Sequence, residues 1–428
     1  MCLGSFFGTN TTRRKAFQWP VGYVSRWILL ISYRALGRVR GFVRASILSA
    51  MQLVRFVLFV AAAASAAAQT PSVPPVPAQP AWQMQESGTT ASLRGIDSVD
   101  GKIAWASGSG GTVLRTIDGG AHWQNCAIPD GDKDGATLDF RGVQAWDAQT
   151  AIVMASGPGD KSRLYKTIDG CKSWTLLLKN LDKDGFWDAL VHPRETYGDT
   201  KIPDYTLLLG DPIHGQFDIR DGTNPVGKIP DVWEKSLAHC AAKDGEAVFA
   251  ASNSSVVVSA FESFIIATGG KSGAHVLLSS LQHRMGDYKT APCLSVEVPI
   301  AGGSDSSGIF SIGFANSGTA WRGVAVGGDY KKPDEAKGTS AWTIDGATHW
   351  TASTSPPHGY RSTVQWGESI TAWITAGTNG SDISHDDGKT WQPLDNGNWN
   401  ALSLPFIVGP KGRIARLNPA ALPNPSVP

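Results

Sequence analysis

Acidic side chains are absent from the first 68 residues, and charge is scarce in the chain as a whole. Charged residues make up 18% of the 428 and hydrophobic ones 42%, a composition that can bury a sizeable core and excludes a disordered protein. Residues 1–68 hold nine Lys and Arg side chains, so the remainder holds 29 basic and 37 acidic residues, a net charge of −8. Sequence-independent binding of nucleic acid needs Lys and Arg to neutralise phosphates, so this acidic part argues against a nucleic-acid partner.

A long apolar run is also missing. The run that begins at Phe56 is shorter than the ~20 residues of a membrane-spanning helix. From Met51 the order is basic, apolar and then alanine up to Ala68, which is typical of a cleaved secretory signal peptide. We therefore expect an exported protein, periplasmic or extracellular, with no stable membrane span after cleavage. The predicted segments are a basic extension or mis-assigned start at 1–50, a signal peptide at 51–68, a Pro-rich linker at 69–80 and a tail at 421–428.

Four segments share one spacing: Ser or Thr, any residue, Asp, a turn, and then Trp seven residues after the hydroxyl residue. A short Ser, Thr or Asp side chain can hydrogen-bond to the backbone one or two residues on, which fixes a tight turn between strands. We therefore assign these residues to the fold rather than to a ligand. They are Thr116, Asp118 and Trp123; Thr167, Asp169 and Trp174; Thr343, Asp345 and Trp350; and Ser384, Asp386 and Trp391.

A short apolar strand that enters a glycine-rich loop precedes each of these turns, and a further strand precedes that one. Four antiparallel strands per repeat at this period predict an all-β fold, a seven-bladed β-propeller over residues 81–420. The last repeat supplies only three strands, and Ala81 to Met84 resembles the missing fourth, so the ring is expected to close with strands from both termini. The predicted blades begin near Leu93, Phe140, Trp187, Glu246, Phe310, Tyr360 and Trp399.

Cysteine is rare, with five in the chain and four after the predicted cleavage site. Their spacing matches no zinc site, and an even number in an oxidising compartment favours disulfides over four buried thiols. Three pairings are possible. Cys240 and Cys293 flank the fourth predicted blade and are the first candidates to bridge, and Cys126 and Cys171, from adjoining blades, are the next.

The four turn motifs resemble the Asp-box, also called the bacterial neuraminidase repeat. The run from Trp105 to Trp123 is similar to the repeat of the photosystem II stability and assembly factor family, whose members are seven-bladed propellers. Segments such as Gly245 to Asn253 further resemble exported bacterial propellers labelled oxidoreductase-like or assembly-factor-like. The resemblance covers roughly residues 82–417 and implies a fold and a binding or assembly role.

Sialidases share the Asp-box, and a resemblance to them implies an Arg-Ile-Pro motif before the first box, an arginine triad and a six-bladed ring. The sequence here reads Arg94-Gly95-Ile96, without the proline, and the repeats number seven. The glycine loops precede no helical pattern, so no dinucleotide-binding unit supports an oxidoreductase.

Charged residues are expected to converge at the face of the ring opposite the Asp turns. Guanidinium groups there suggest an anionic or carboxylate-bearing ligand. The acids alternatively fit general acid and base catalysis in sugar hydrolysis, and the whole set also fits a solvated structural network. The candidate ligand-binding residues are Arg94, Arg141, Asp188, Asp211, Glu246 and Arg361, with His214, Lys271, Asp329, Tyr330 and Lys411 from glycine-rich loops.

The favoured interpretation is an exported, non-catalytic scaffold that binds or assembles a protein or glycan partner, with an anionic partner as one option. The alternative is a glycoside hydrolase, sialidase-like or otherwise glycan-active, with its site at the top of the central channel. No cofactor and no metal are expected, and the sequence leaves the oligomeric state open.

Overall fold

The computed structural model describes residues 79–131, 133–192, 205–223, 229–236, 238–258, 263–279, 281–284, 287–290, 292–316 and 321–423. The predicted N-terminal extension, the signal peptide, all of the linker before residue 79 and the tail from residue 424 lie outside the described residues. In the described part the regular structure is almost entirely β, which confirms the predicted seven-bladed propeller.

The first strand of the described part, β1, is Trp82–Gln85, and three four-stranded antiparallel sheets follow it in the chain. Blade 1 consists of β2 Leu93–Ser98, β3 Ala104–Gly108, β4 Val113–Thr116 and β5 Gln124–Asn125. Blade 2 consists of β6 Phe140–Ala145, β7 Ala151–Ala155, β8 Arg163–Thr167 and β9 Thr175–Lys179. Blade 3 consists of β10 Trp187–Val191, β11 Tyr205–Ile213, β12 Gln216–Thr223 and β13 Val232–Lys235.

Blade 4 is the least regular. It is preceded by β14 Glu246–Ala247 and consists of β15 Val256–Val258, β16 Phe264–Ala267, β18 His275–Leu278 and β21 Leu294–Glu297. The short strand β17 Gly269–Gly270 pairs with β14, and a separate hairpin is formed by β19 Leu281–Arg284 and β20 Asp287–Thr290.

The remaining blades are again four-stranded, and β14 and β17 extend the sheet of blade 5. Blade 5 consists of β22 Ser307–Asn316, β23 Trp321–Asp329, β24 Ser340–Thr343 and β25 Thr351–Ala352. Blade 6 consists of β26 Thr363–Gly367, β27 Ala372–Gly377, β28 Gly380–Ser384 and β29 Gln392–Asp395. Blade 7 consists of β30 Ala401–Ser403, β31 Phe406–Val408 and β32 Ile414–Leu417, with β1 as its outer strand.

The first strands of the seven blades form a closed ring. Each contacts the first strand of the next blade, and β30 contacts β2. Each neighbouring pair of blades shares one hydrophobic cluster, so seven clusters fill the seven interfaces. The cluster between blades 7 and 1 joins Phe406 to Leu93, and the one between blades 6 and 7 joins Trp399 to Ile374. Apolar burial between blades therefore continues around the whole ring.

The four Asp turns, which are the four segments identified in the sequence, share one hydrogen-bond pattern. In the first, the Thr116 hydroxyl donates to the Asp118 carboxylate at 2.9 Å and accepts the amide of Gly120 at 2.9 Å. The Asp118 carboxylate accepts the amide of His122 at 3.0 Å. Ser384 and Asp386 repeat the hydroxyl-to-carboxylate bond at 2.9 Å. The hydroxyl and carboxylate thus hold the turn between the third and fourth strands of a blade.

Glycine at the end of a blade's second strand has a steric reason. A Cβ on Gly108 would collide with the backbone oxygen of Ser92, and a Cβ on Gly377 with that of Tyr360. In both places the end of the second strand passes directly against the backbone where the chain enters the first strand. The glycine-rich loops of the sequence therefore mark where each blade turns at the mouth of the ring.

Both predicted disulfides are confirmed. Cys126 is bonded to Cys171, with Cα atoms 5.3 Å apart, and joins blade 1 to the Asp turn of blade 2. Cys240 is bonded to Cys293, with Cα atoms 4.9 Å apart, and joins the end of blade 3 to blade 4. Each bridge links neighbouring blades, and a bridge of this kind stabilises a fold by about 2–4 kcal/mol.

The predicted start of blade 4 at Glu246 is wrong. Glu246 and Ala247 pair with Gly269 and Gly270, but the first strand of blade 4 resumes only at Val256. Residues 248–254, here called the strap, leave the sheet between these two points. The other six blades begin within three residues of their predicted starts.

The strap lies across the central channel. The Asn253 side-chain amide donates to the Leu190 carbonyl of blade 3 at 2.8 Å, and the Ser252 hydroxyl donates to the carbonyl of Ser362, next to blade 6, at 2.6 Å. Arg141 of blade 2 donates to the Ala250 carbonyl at 3.2 Å. Blades 2 and 6 are not neighbours of blade 4, so the strap reaches them through the interior of the ring.

Candidate functional site

A cavity of about 500 Å³ lies on the axis of the ring, with the strap along one side of it. Residues of six blades or of the segments next to them line the cavity, and the strap takes the place of blade 4, which is the arrangement expected where the first strands of a propeller begin. The polar lining groups are Arg94, Arg141, Asp188, Asp211, Asp305, Tyr330, Tyr360, Ser362, Thr378 and Asn400. The apolar lining consists of Phe186, Phe310 and residues 247–251.

Four of the six candidate ligand-binding residues meet in this cavity: Arg94, Arg141, Asp188 and Asp211. Tyr330, predicted from a glycine-rich loop, lines it as well. His214, Lys271, Asp329 and Lys411 lie outside the lining; Lys271, for instance, pairs with Asp305 at the rim, at 3.3 Å.

Arg361 was expected at the channel mouth, and its side chain turns into blade 6 instead. It is fully buried, and its Nε donates to the Asp382 carboxylate at 2.7 Å. Its Nη1 donates to the carbonyl of Tyr360 and to the Asn379 side chain at 2.7 and 2.6 Å. Every nitrogen of this guanidinium has a partner within the blade. The axial cavity is therefore lined by two arginines, Arg94 and Arg141, rather than by the three that were predicted.

Glu246 was also predicted to lie beside the arginines at the channel mouth. It lines a different surface depression instead, between blades 3 and 4, because the strap leaves the sheet directly after Ala247. The Glu246 side chain is 1% exposed, and its carboxylate accepts bonds from the Thr268 hydroxyl at 2.6 Å and the Lys243 amide at 2.9 Å. His275 lies 3.5 Å away, and the histidine and these hydrogen bonds hold the pKa of Glu246 below its ordinary value despite burial.

The two arginines of the cavity share a single carboxylate. Arg141 Nε donates to Asp139 at 2.8 Å, and Arg94 Nη2 lies 3.7 Å from the same oxygen. The pKa of Arg94 is lowered, first by its burial and then by the positive charge of Arg141. Two guanidinium groups thus face one ionised partner, and the cavity favours an added anion.

Asp188 and Asp211 are the other two carboxyl groups of the cavity, and both favour the neutral form. Burial raises the pKa of Asp188 well above its ordinary value, and the charge of Asp211 raises it further. Burial raises the pKa of Asp211 to about 6, although its Oδ1 accepts the Val248 amide at 3.0 Å. Below pH 6 these acids therefore offset little of the arginine charge.

The opposite side of the cavity is aromatic. Phe249 of the strap stacks on Phe310 with ring centroids 3.9 Å apart, and Tyr360 packs edge-on against Phe310 at 4.8 Å. Burial raises the pKa of Tyr360 well above its ordinary value, so its hydroxyl stays neutral. A ligand here meets charge on the side of blades 1 and 2 and apolar surface on the side of blades 5 and 6.

Four cavity residues were not predicted from the sequence as site residues: Phe249, Phe310, Tyr360 and Asn400. Asp139, which is bonded to Arg141, was not predicted either. Asp139 directly precedes Phe140, which was recognised as the start of a blade, so the position before each first strand was a usable signal. Phe249 gave no such signal, because its place depends on the strap.

Asp211→Asn is expected to stabilise the protein above pH 6. A folded-state pKa raised from 3.8 to about 6 gives stability that is present below pH 4 and lost as the pH rises through 6. The neutral asparagine keeps an acceptor for the Val248 amide, so the variant gains on the order of 2–3 kcal/mol over wild type by pH 8 and nothing at pH 4. Urea unfolding at pH 4, 6 and 8 measures this difference.

Asp305→Asn is the matched control, because Asp305 lies at the same cavity but is 73% exposed. Its effect on the free energy of unfolding is expected to stay within about 0.5 kcal/mol at every pH. If Asp211→Asn matched this control at pH 8, the raised pKa of Asp211 would be disproved.

Within the described ranges, no group of three or more His, Cys, Asp or Glu side chains is arranged to hold a metal ion. A search of the same residues for a helix of membrane-spanning length and hydropathy found none.

No family model matches the chain. Among curated proteins it is similar to the photosystem II assembly lipoprotein Ycf48 of Synechococcus sp. (strain CC9902), at 21% identity over 349 residues, 78% of this chain and 87% of that protein. Among solved structures it is similar to YCF48 from Cyanidioschyzon merolae, with a TM-score of 0.53, 17% identity, and coverage of 79% of this chain and 99% of the other.

A structure of YCF48 bound to D1 peptide is also similar, with a TM-score of 0.51 and 16% identity; the match covers 79% of this chain and 97% of that one. These likenesses to solved structures show the fold.

Proposed function

We propose that the chain is an exported, non-catalytic propeller scaffold that holds an anionic segment of a partner protein at the axial cavity, as an assembly factor does. The observation behind the proposal is the shortage of negative charge around Arg94 and Arg141, which share Asp139 alone. A solved YCF48 propeller carries a bound D1 peptide, which supports a polypeptide partner for a propeller of this fold.

The form of the cavity supports binding rather than turnover. Its arginine side offers charge-assisted hydrogen bonds, and its aromatic side offers apolar contact to a neighbouring group of the same segment. The strap fixes both sides, because Ala250 accepts a bond from Arg141 and Phe249 stacks on Phe310. A site held in this way before the ligand arrives costs little ordering on binding.

Arg141→Ala is expected to weaken binding of acidic peptides roughly 10- to 100-fold, since a charge-assisted hydrogen bond contributes about 1.5–3 kcal/mol. Binding to an array of peptides with free or amidated C-termini, with and without acidic side chains, measures this. Arg322→Ala is the matched control, because Arg322 pairs with Asp387 at 2.7 Å away from the cavity. Equal binding by wild type and Arg141→Ala, or a lack of preference for acidic peptides, would exclude the anion site.

Glycoside hydrolysis is the second candidate, favoured by one observation: two carboxyl groups with raised pKa, Asp188 and Asp211, share a cavity. A neutral carboxyl is what a general acid in sugar hydrolysis requires. A glycan hydrolysis screen tests it. Turnover by wild type that Asp211→Asn abolishes would favour the enzyme over the scaffold.

A further inference from the structure

Asp188 is a buried carboxyl group, and one of its two oxygens has no hydrogen-bond partner among the described residues. This oxygen is Oδ2, and the side chain, on β10, is 1% exposed. Backbone amides of Asp211 and Ala250 donate hydrogen bonds to the carboxyl group. These bonds and the positive charge of Arg141 lower its pKa, but burial raises the pKa by more. An ionised carboxylate with an unsatisfied oxygen costs more than a neutral one, so this setting fits the protonated group.

Charged and titratable groups face the Asp188–Asp211 pair from each element packed around the cavity. The cavity lining contributes Arg94 on β2, Arg141 on β6, Asp305 before β22, Tyr330 after β23 and Tyr360 before β26. Asp139, before β6, is bonded to Arg141. Asp211 also lines the depression between blades 3 and 4, together with Asp184, Lys243, Asp244 and Glu246. The strap contributes amides and apolar groups, and Arg361 is turned away into blade 6. Asp305 is 73% exposed, so water screens it from the interior of the cavity.

The net charge of the cavity interior therefore depends on this pair. With Arg94 and Arg141 positive, Asp139 negative and both other acids neutral, the sum is +1. Ionisation of Asp211 brings the sum to zero, and ionisation of Asp188 as well brings it to −1. The cavity attracts an anion when its net charge is +1 and repels one when its net charge is −1. Binding of an anion and protonation of the pair therefore strengthen each other.

We propose that the cavity takes up a proton at the Asp188–Asp211 pair when it binds its anionic ligand, so that the propeller holds an acidic partner more tightly at lower pH. This inference rests on the proposed function, since it needs an anion in the cavity. The protonated pair leaves the Arg94 and Arg141 guanidinium groups available to the ligand. Release follows as the pH rises and the pair ionises.

The direction and size of the effect follow from linkage. A bound anion stabilises the protonated acids, so ligand affinity falls as the pH rises through the range in which the free cavity loses its proton. For one linked proton the fall approaches tenfold per pH unit. Between pH 5.5 and 7.5 the dissociation constant of an anion is expected to rise roughly 10- to 30-fold.

The test is calorimetric titration of the full chain with N-acetyl-L-phenylalanine, whose carboxylate is ionised throughout, at pH 5.5, 6.5 and 7.5. Two buffers with different ionisation enthalpies at each pH count the protons taken up. N-acetyl-L-phenylalanine amide is the neutral control, and Asp160→Asn is the control variant, because Asp160 is 59% exposed and lies outside the cavity lining. Near pH 6.5 we expect an uptake of up to one proton for the carboxylate and none for the amide.

Asp211→Asn is expected to bind the carboxylate with nearly constant affinity from pH 5.5 to 7.5, and Asp188→Asn supplies a second variant should the first be misfolded. Wild-type binding of equal strength at all three pH values, or a pH dependence that persists in both variants, overturns the proton linkage and leaves the anion site standing. If the carboxylate binds at no pH, the proposed anion site fails, and the linkage fails with it.

Discussion

Arg361→Ala is expected to lower the free energy of unfolding by about 3–5 kcal/mol. Arg361 and Asp382 are 0% and 1% exposed, and their side chains are joined by a hydrogen bond from Nε at 2.7 Å. Removing the arginine leaves the Asp382 carboxylate buried, with the His358 side chain at 2.7 Å as its remaining side-chain partner. The cost comes from this uncompensated buried charge rather than from the strength of the ion pair itself.

Urea unfolding at pH 7 measures this loss, and Arg94→Ala is the matched control. Arg94 lies on the first strand of blade 1, but its side chain is 29% exposed and lies 3.7 Å from its acidic partner. Its removal is expected to cost less than about 1 kcal/mol. If Arg361→Ala kept wild-type stability but lost binding of acidic peptides, Arg361 would belong to the ligand site as the sequence first suggested.

Trp391→Ala is expected to cost about 3–5 kcal/mol of unfolding free energy, the usual range for removing a buried tryptophan. Trp391 ends the Asp turn of blade 6 and is 6% exposed. Its ring packs with Val324, Val326 and Val364 in the cluster between blades 5 and 6. Its Nε1 donates to the Ser340 hydroxyl at 3.1 Å and to the Gly388 carbonyl at 3.2 Å, and the variant loses both bonds.

Trp174→Ala provides the comparison within the same motif. Trp174 ends the Asp turn of blade 2 and donates to the Ala127 carbonyl at 2.7 Å, but it is only partly buried. We expect its loss to cost less than half as much, measured by the same urea unfolding. Equal losses in the two variants would show that the turn itself, and not the packing of the ring between blades, determines the contribution of the tryptophan.

The sequence by itself determined the architecture, because the propeller repeat depends on interactions between residues that are close together in the chain. Thr116, Asp118 and their counterparts fix a turn through bonds within four residues, and glycines such as Gly108 mark where strands cross closely. Cysteine pairing followed from the same repeat, since Cys126 and Cys171 fall on neighbouring blades. Such short-range signals do not depend on distant parts of the chain, so they can be interpreted without coordinates.

The tertiary structure alone decided which charged residues meet at the axis. Arg361 looks similar to Arg94 and Arg141 in the sequence, but in the structure it takes the place of Leu93, since the amides of Leu93 and Arg361 each donate to a glycine carbonyl of the preceding blade, Gly409 and Gly327. A shift of one residue along a strand turns the side chain to the other face, so Arg361 is buried in its blade beside Asp382 and Asn379. Glu246 is excluded because the strap leaves the sheet just after it and brings Phe249 and Ala250 to the axis instead. Side-chain direction and burial depend on partners far away in sequence, and the raised pKa values of Asp188 and Asp211 arise from that burial.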